Sequence, residues 1–165
     1  MDLISYLPVF QKAAARLDKN LLTRKKLEIE VGVWLESVVL RIQKSSWANK
    51  PYERPQSDAA IFFSIWLSGK GVKENKLFYN IHALKLRQLQ GYKITGRGFA
   101  AAFRKKFHPW EPHWPNVKVD LGPLTLMEGW EKLDPANMEK DIYTIAGKFL
   151  EIDMIIDHLL DSYKK

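Results

Sequence analysis

The sequence predicts an α+β domain spanning residues 1–165: an antiparallel sheet of about four to five strands, flanked by an N-terminal helix, a short central helix and a long C-terminal helix. Three observations carry that expectation. From Ala59 to Leu89 two long apolar runs face each other across a polar, glycine-bearing turn, the pattern of a β-hairpin. Residues 25–47 alternate apolar with polar and are dense in valine and isoleucine. From Met138 to Tyr163 apolar residues step by four and three without a break, as one face of a helix requires.

In chain order, Leu3, Leu7, Phe10, Ala14 and Leu17 form a helical stripe. Ser5 would cap it, Pro8 would sit in the tolerated first turn, and Asn20 would stop it. In residues 25–47, Leu27, Ile29, Val31, Val33 and Leu35 alternate with Glu28, Glu30, Gly32, Trp34 and Glu36. A helical stripe through Leu27, Val31, Trp34, Leu35, Val38 and Ile42 fits the same stretch. Gly32 and the β-branched residues depress helix propensity and favour two antiparallel strands, turning at Glu36-Ser37. Residues 48–58 carry two prolines and little apolar content, so they read as a surface loop.

The hairpin follows. Ile61, Phe62, Phe63, Ile65, Trp66 and Leu67 have the composition strands favour, and Ser68-Gly69-Lys70-Gly71 supplies turn chemistry. Beyond Lys76, Leu77, Tyr79, Ile81 and Ala83 share one face, while Phe78, Asn80, His82, Leu84 and Leu86 share the other. Phe99, Phe103 and Phe107 recur at four-residue spacing, a short helix with Arg104, Lys105 and Lys106 in its last turn. Residues 108–123 hold four prolines and two tryptophans, an ordered loop with a short strand at Val117–Val119. Asp134-Pro135 has the chemistry of a helix start. The seam it opens runs through Met138, Ile142, Ile145, Phe149, Ile152, Ile156 and Leu159. Gly147 is its weak point, and Leu150, Ile155 and Leu160 widen the stripe. Such a helix covers the sheet or meets a second copy in a homodimer; intramolecular packing is favoured.

Composition narrows the function classes. Without cysteine there is no disulfide, thiolate metal site or cysteine nucleophile. No basic-then-apolar leader opens the chain and no apolar run nears the ~18 residues of a membrane span, so the expectation is a soluble cytoplasmic protein. The formal charge of +7 favours polyanionic partners, nucleic acid or an acidic protein. Restriction-type acid-x-acid-lysine runs, phosphate-binding glycine loops and nucleophile elbows are all missing, so no catalytic residue and no cofactor is assigned.

Two constellations remain as binding sites. Asn80 and His82 share a strand face with Lys85 and Arg87 beyond, placing an amide, an imidazole and two cations on a rigid platform. The bland reading is a half-buried histidine bonded to backbone, with cations snorkelling at a strand end. The second cluster is Arg97, Arg104, Lys105, Lys106 and Lys118 beside Trp110, Trp114, His108 and His113, cations for phosphate and aromatic faces for stacking bases. Its bland reading is a helix C-terminus stabilised by cations, plus tryptophans pinning a loop. His108 and His113 lack zinc-site spacing, and no metal site is assigned. The leading expectation is a non-enzymatic binding or adaptor module with a basic surface near residues 85–118. Its rivals are a small enzyme or ligand-binding protein with a sheet-face pocket at Asn80 and His82, and a subunit assembling through the C-terminal helix.

Overall fold

The computed structural model of the chain describes residues 2–165. A five-stranded antiparallel meander, with strands side by side in chain order, forms one layer and helices cover one of its faces. Helix α1 (Leu7–Ala15) follows a 3-10 turn, Leu3–Tyr6, and starts with Pro8 in its first turn and no side-chain cap. Ser5 instead donates to the Asp2 carbonyl at 2.5 Å. A second short helix, α2 (Lys19–Lys25), begins where a stop was expected at Asn20. Asp18 accepts from the backbone N–H of Asn20 and of Leu21, which makes aspartate the cap and asparagine a helical residue.

Strands β1 (Glu28–Trp34) and β2 (Ser37–Gln43) pair in register from Glu28↔Gln43 to Trp34↔Ser37. Their two-residue turn is Leu35-Glu36, one position earlier than the sequence suggested. Both residues are left-handed, at φ 51° and 61°, matching the twist of a tight hairpin. Strands β3 (Ala60–Ser68) and β4 (Lys76–Leu84) form the expected hairpin, but their connection is a one-turn helix, α3 (Gly69–Glu74). Ser68 caps it through Gly71 N–H, and Asn75 ends it in the left-handed conformation. A Cβ on Gly71 would lie 2.7 Å from the Lys76 carbonyl, so only glycine closes this turn.

Helix α4 (Gly96–Phe107), capped by Thr95, buries Phe99, Phe103 and Phe107. The fifth strand, β5 (Thr125–Lys132), lies where the sequence showed none; Val117–Val119 contributes only a single bridge, Lys118 to Glu128, along its outer edge. A register shift between Ile81 and His82 breaks the period-two pattern of β5, and that irregularity hides it from sequence alone.

Helix α5 (Met138–Ser162) starts four residues after Asp134. The Asp134 carboxylate accepts from Ala136 N–H at 3.1 Å and from the Asn137 amide at 2.8 Å, so it closes a local turn rather than capping the helix. The seam from Met138 to Leu159 is buried, and Leu150, Ile155 and Leu160 are buried too, with α1 and α4 packed along the helix. The wide stripe is thus covered within one chain, and Met154 is the large apolar residue of α5 left exposed. An ion-pair cluster around the buried Asp153 pins the helix: Asp153 meets Lys25 at 2.8 Å and Lys44 at 3.6 Å, while Asp157 pairs with Lys44 and accepts from the Trp47 indole N–H at 2.9 Å.

Val38, Leu40, Ile42, Ile61, Phe63, Ile65, Leu77, Tyr79 and Ile81 fill the helical face of the sheet. The other face carries no helix, and it holds the site. No helix among the described residues is long and apolar enough to cross a membrane.

Candidate functional site

Cross-strand register assembles the open face in rows. Glu30, Arg41, Ser64, Asn80 and Glu128 stand opposite one another from β1 to β5, a polar row across the whole sheet. One row along stand Gly32, Val39, Trp66, Phe78 and Trp130; on the opposite side lie Phe62 and His82. A polar stripe therefore runs between two aromatic ones. Two side-chain positions along each strand separate the stripes, so every member shares the open face. Residues 54–56 of the loop after β2 fold against this face, and with Trp34, Leu35 and Leu84 they enclose a cavity of ≈ 360 Å³.

Arg41 dominates it. Only 3% of the residue is exposed, and no carboxylate pairs with it among the described residues. Its Nη2 donates to the Gln43 side-chain oxygen at 2.7 Å and to that of Gln56, and its guanidinium lies 4.1 Å over the Phe62 ring. Its Nε–H is buried without an acceptor. Glu30, its cross-strand neighbour, is taken by Arg54, whose Nε donates to Glu30 at 2.6 Å. Burial, with Arg54 adding to it, lowers the Arg41 pKa to about 10 against the opposing pull of Glu30. Neutral amides satisfy part of the guanidinium's hydrogen-bonding capacity but none of its charge.

Around Arg41 the remaining groups are neutral. Ser64 donates to the Asn80 side-chain oxygen at 2.6 Å, and both residues are buried. His82 stacks on Phe62 with ring centres 4.6 Å apart. Burial first, and the Arg41 charge second, push its pKa down to about 4, so the imidazole is neutral at pH 7 and offers one donor and one acceptor. Trp66 and Phe78 stack at 5.2 Å across the neighbouring row. One fixed cation, an amide, a neutral imidazole and flat apolar walls suit recognition of an organic anion.

Asn80 and His82 therefore share a face as their spacing predicted, but Lys85 and Arg87 do not join them. Lys85 is left-handed at φ 49°, ends β4, and turns the chain so that Leu86 enters the core while Lys85 and Arg87 face solvent. The second cluster is dispersed by its own packing. Arg104 donates to the carbonyls of Gly122 and Thr125 at 3.0 Å and of Leu126 at 3.2 Å, stapling α4 to the approach of β5. Trp114 is buried beside Phe149, Tyr79 and Phe107, with the nearest ring, Phe149, centred 4.9 Å away. Trp110 is half-buried and packs against the core. Arg97, Lys105 and Lys106 are exposed. His108 approaches Glu111 at 3.6 Å, and no cluster of three metal-ligating side chains exists among the described residues.

Arg41, Phe62, Ser64 and Trp66 escaped sequence reasoning. The available signal was Arg41 itself, a cation inside the otherwise apolar run Val38–Ile42, at the period-two position that faces away from Leu40 and Ile42. No protein-family model, curated protein or solved structure matches the chain.

Proposed function

We propose that this chain is a ligand-binding protein that takes a small organic anion in the cavity on its open sheet face. One observation carries the reading: a guanidinium at 3% exposure whose Nε–H has no acceptor and with which no carboxylate forms an ion pair among the described residues. Burying an ion unpaired is costly, and a fold that keeps one has a reason to. A bound anion supplies the missing counter-charge and the missing acceptor together. Phe62, Trp66 and Trp34 give the ligand's apolar part a place to leave water. The test is a calorimetric screen of small organic acids against the wild type and Arg41→Met. Acids that bind the wild type and lose affinity by about tenfold or more in the variant support the reading; equal binding to both would refute it.

A second reading rests on a separate surface. Arg97, Lys105 and Lys106 on α4 are exposed and form no ion pair among the described residues, in a chain of formal charge +7. We propose that these cations contact a polyanion, nucleic acid or an acidic protein, by charge without base stacking. Anisotropy titration of a labelled single-stranded oligonucleotide tests this: affinity should fall steeply with salt and vanish in the Arg97/Lys105/Lys106 triple alanine variant. Salt-independent binding, or none at low salt, would rule it out.

A further inference from the structure

Resting on the cavity reading above, we infer the ligand's chemical class: a one- or two-ring aromatic monocarboxylate, its carboxylate on Arg41 and its ring system between the Phe62 and Trp66 rows. Charge balance comes first. Glu30 and Arg54 neutralise each other at the cavity rim, His82 is neutral at pH 7, and Arg41 is left as one net positive charge. One buried cation matches one negative charge. A phosphate monoester carries close to two, with three strong acceptor oxygens, and would leave charge and lone pairs unmatched here.

Donor geometry agrees. Nη2 of Arg41 is engaged by two amide oxygens, whereas Nε–H and Nη1 have no acceptor among the described residues; Nε is buried, and Nη1 is the free donor left accessible. A carboxylate oxygen can take Nη1 in a charge-assisted bond in the guanidinium plane, and its charge is felt at the neighbouring Nε–H. Behind it, Asn80 lies in the same polar row with its side-chain oxygen already occupied by Ser64.

The walls specify the body. Phe62 and Trp66 are four residues apart on β3, roughly 13 Å along the strand, with Ser64 between them. Each is paired with a second flat ring, His82 and Phe78 respectively. A planar aromatic body packs on such surfaces by offset stacking or edge-to-face contact, and does so without ordering a flexible chain. The volume, ≈ 360 Å³, lies near the small end of the ~300–1,000 Å³ range of ligand pockets and sets the one- or two-ring limit.

The experiment compares four probes by calorimetry on the full-length wild-type chain: 2-naphthoate, neutral 2-naphthamide, 2-naphthyl phosphate and decanoate. In parallel, the Arg41 Nε–H resonance is followed by NMR. The expected result is naphthoate tightest by about tenfold or more, with a downfield move of the Arg41 Nε–H on binding. Naphthamide binding as well as naphthoate overturns the charge inference while leaving the cavity reading standing. The same follows for the single charge if naphthyl phosphate is tightest, and for the aromatic body if decanoate matches naphthoate. If no probe binds and the Nε–H does not move, the inference and the cavity reading fall together. Phe62→Leu adds a control on an intact guanidinium: it should weaken naphthoate more than decanoate, and equal weakening counts against stacking.

Discussion

Replacing Arg41 by methionine should leave the fold as stable as the wild type or slightly more so, an unusual outcome for a residue only 3% exposed. The magnitude follows from the guanidinium's environment. Its pKa falls from 12.5 to about 10, so below pH 10 the folded state bears a penalty of about 3 kcal/mol for holding the charged form, a penalty that fades as pH rises from 10 towards 12.5. Removing the charge relieves it. Against this, Gln43 loses the donor to its buried side-chain oxygen, costing about 1–2 kcal/mol, and the contact over Phe62 is lost, worth about 0.5–1 kcal/mol. Gln56 is only half-buried and can turn to water. The balance is near +1 kcal/mol, a rise of about 2–4 °C in Tm for a chain of 165 residues. Urea unfolding at pH 7 and a thermal melt of the ligand-free protein measure it. A loss of more than about 2 kcal/mol would falsify the reasoning, because it would make Arg41 a structural tether that holds the loop through Gln56.

His82 should make stability sensitive to mild acid. With its folded pKa lowered to about 4 and an ordinary value of 6.5, the unfolded chain takes up the proton first. Its contribution is intact above pH 6.5 and shrinks by about 3 kcal/mol by pH 4, and the difference in urea stability between wild type and His82→Gln across that window isolates it. A constant difference would show the imidazole to be solvated. Gly129→Ala should cost about 2–3 kcal/mol, because its Cβ would run into the buried Tyr79 ring, whose Cε2 lies 2.9 Å away. Tyr79 has little room to yield, since its hydroxyl donates to the Pro115 carbonyl at 2.7 Å; a denaturation midpoint equal to wild type counts against that packing. Asp153→Ala should cost about 1–2 kcal/mol by leaving Lys25 without its carboxylate while Lys44 keeps Asp157, and Lys25→Met in the Asp153→Ala background should recover part of it in the same unfolding assay.

What the sequence determined by itself is what has a local period. Alternation placed β1 to β4 and put Asn80 and His82 on one face, because successive side chains of a strand must point to opposite sides. The stepping from Met138 to Leu159 determined α5 in the same way, through 3.6 residues per turn. The tertiary structure decided everything that depends on who stands opposite whom. Register, set by Leu35-Glu36 and by α3, brings Arg41 beside Ser64 and Asn80 although 23 and 39 positions separate them in sequence (64 − 41 and 80 − 41). Packing sends Trp114 into the core, ties Arg104 to backbone carbonyls and covers the second stripe of α5, turning apparent surface groups into structural ones. Above all, the charge on Arg41 stands unmatched only because Arg54 reaches Glu30 first. That is a contest between side chains from three separate segments, and no local pattern along one of them encodes it.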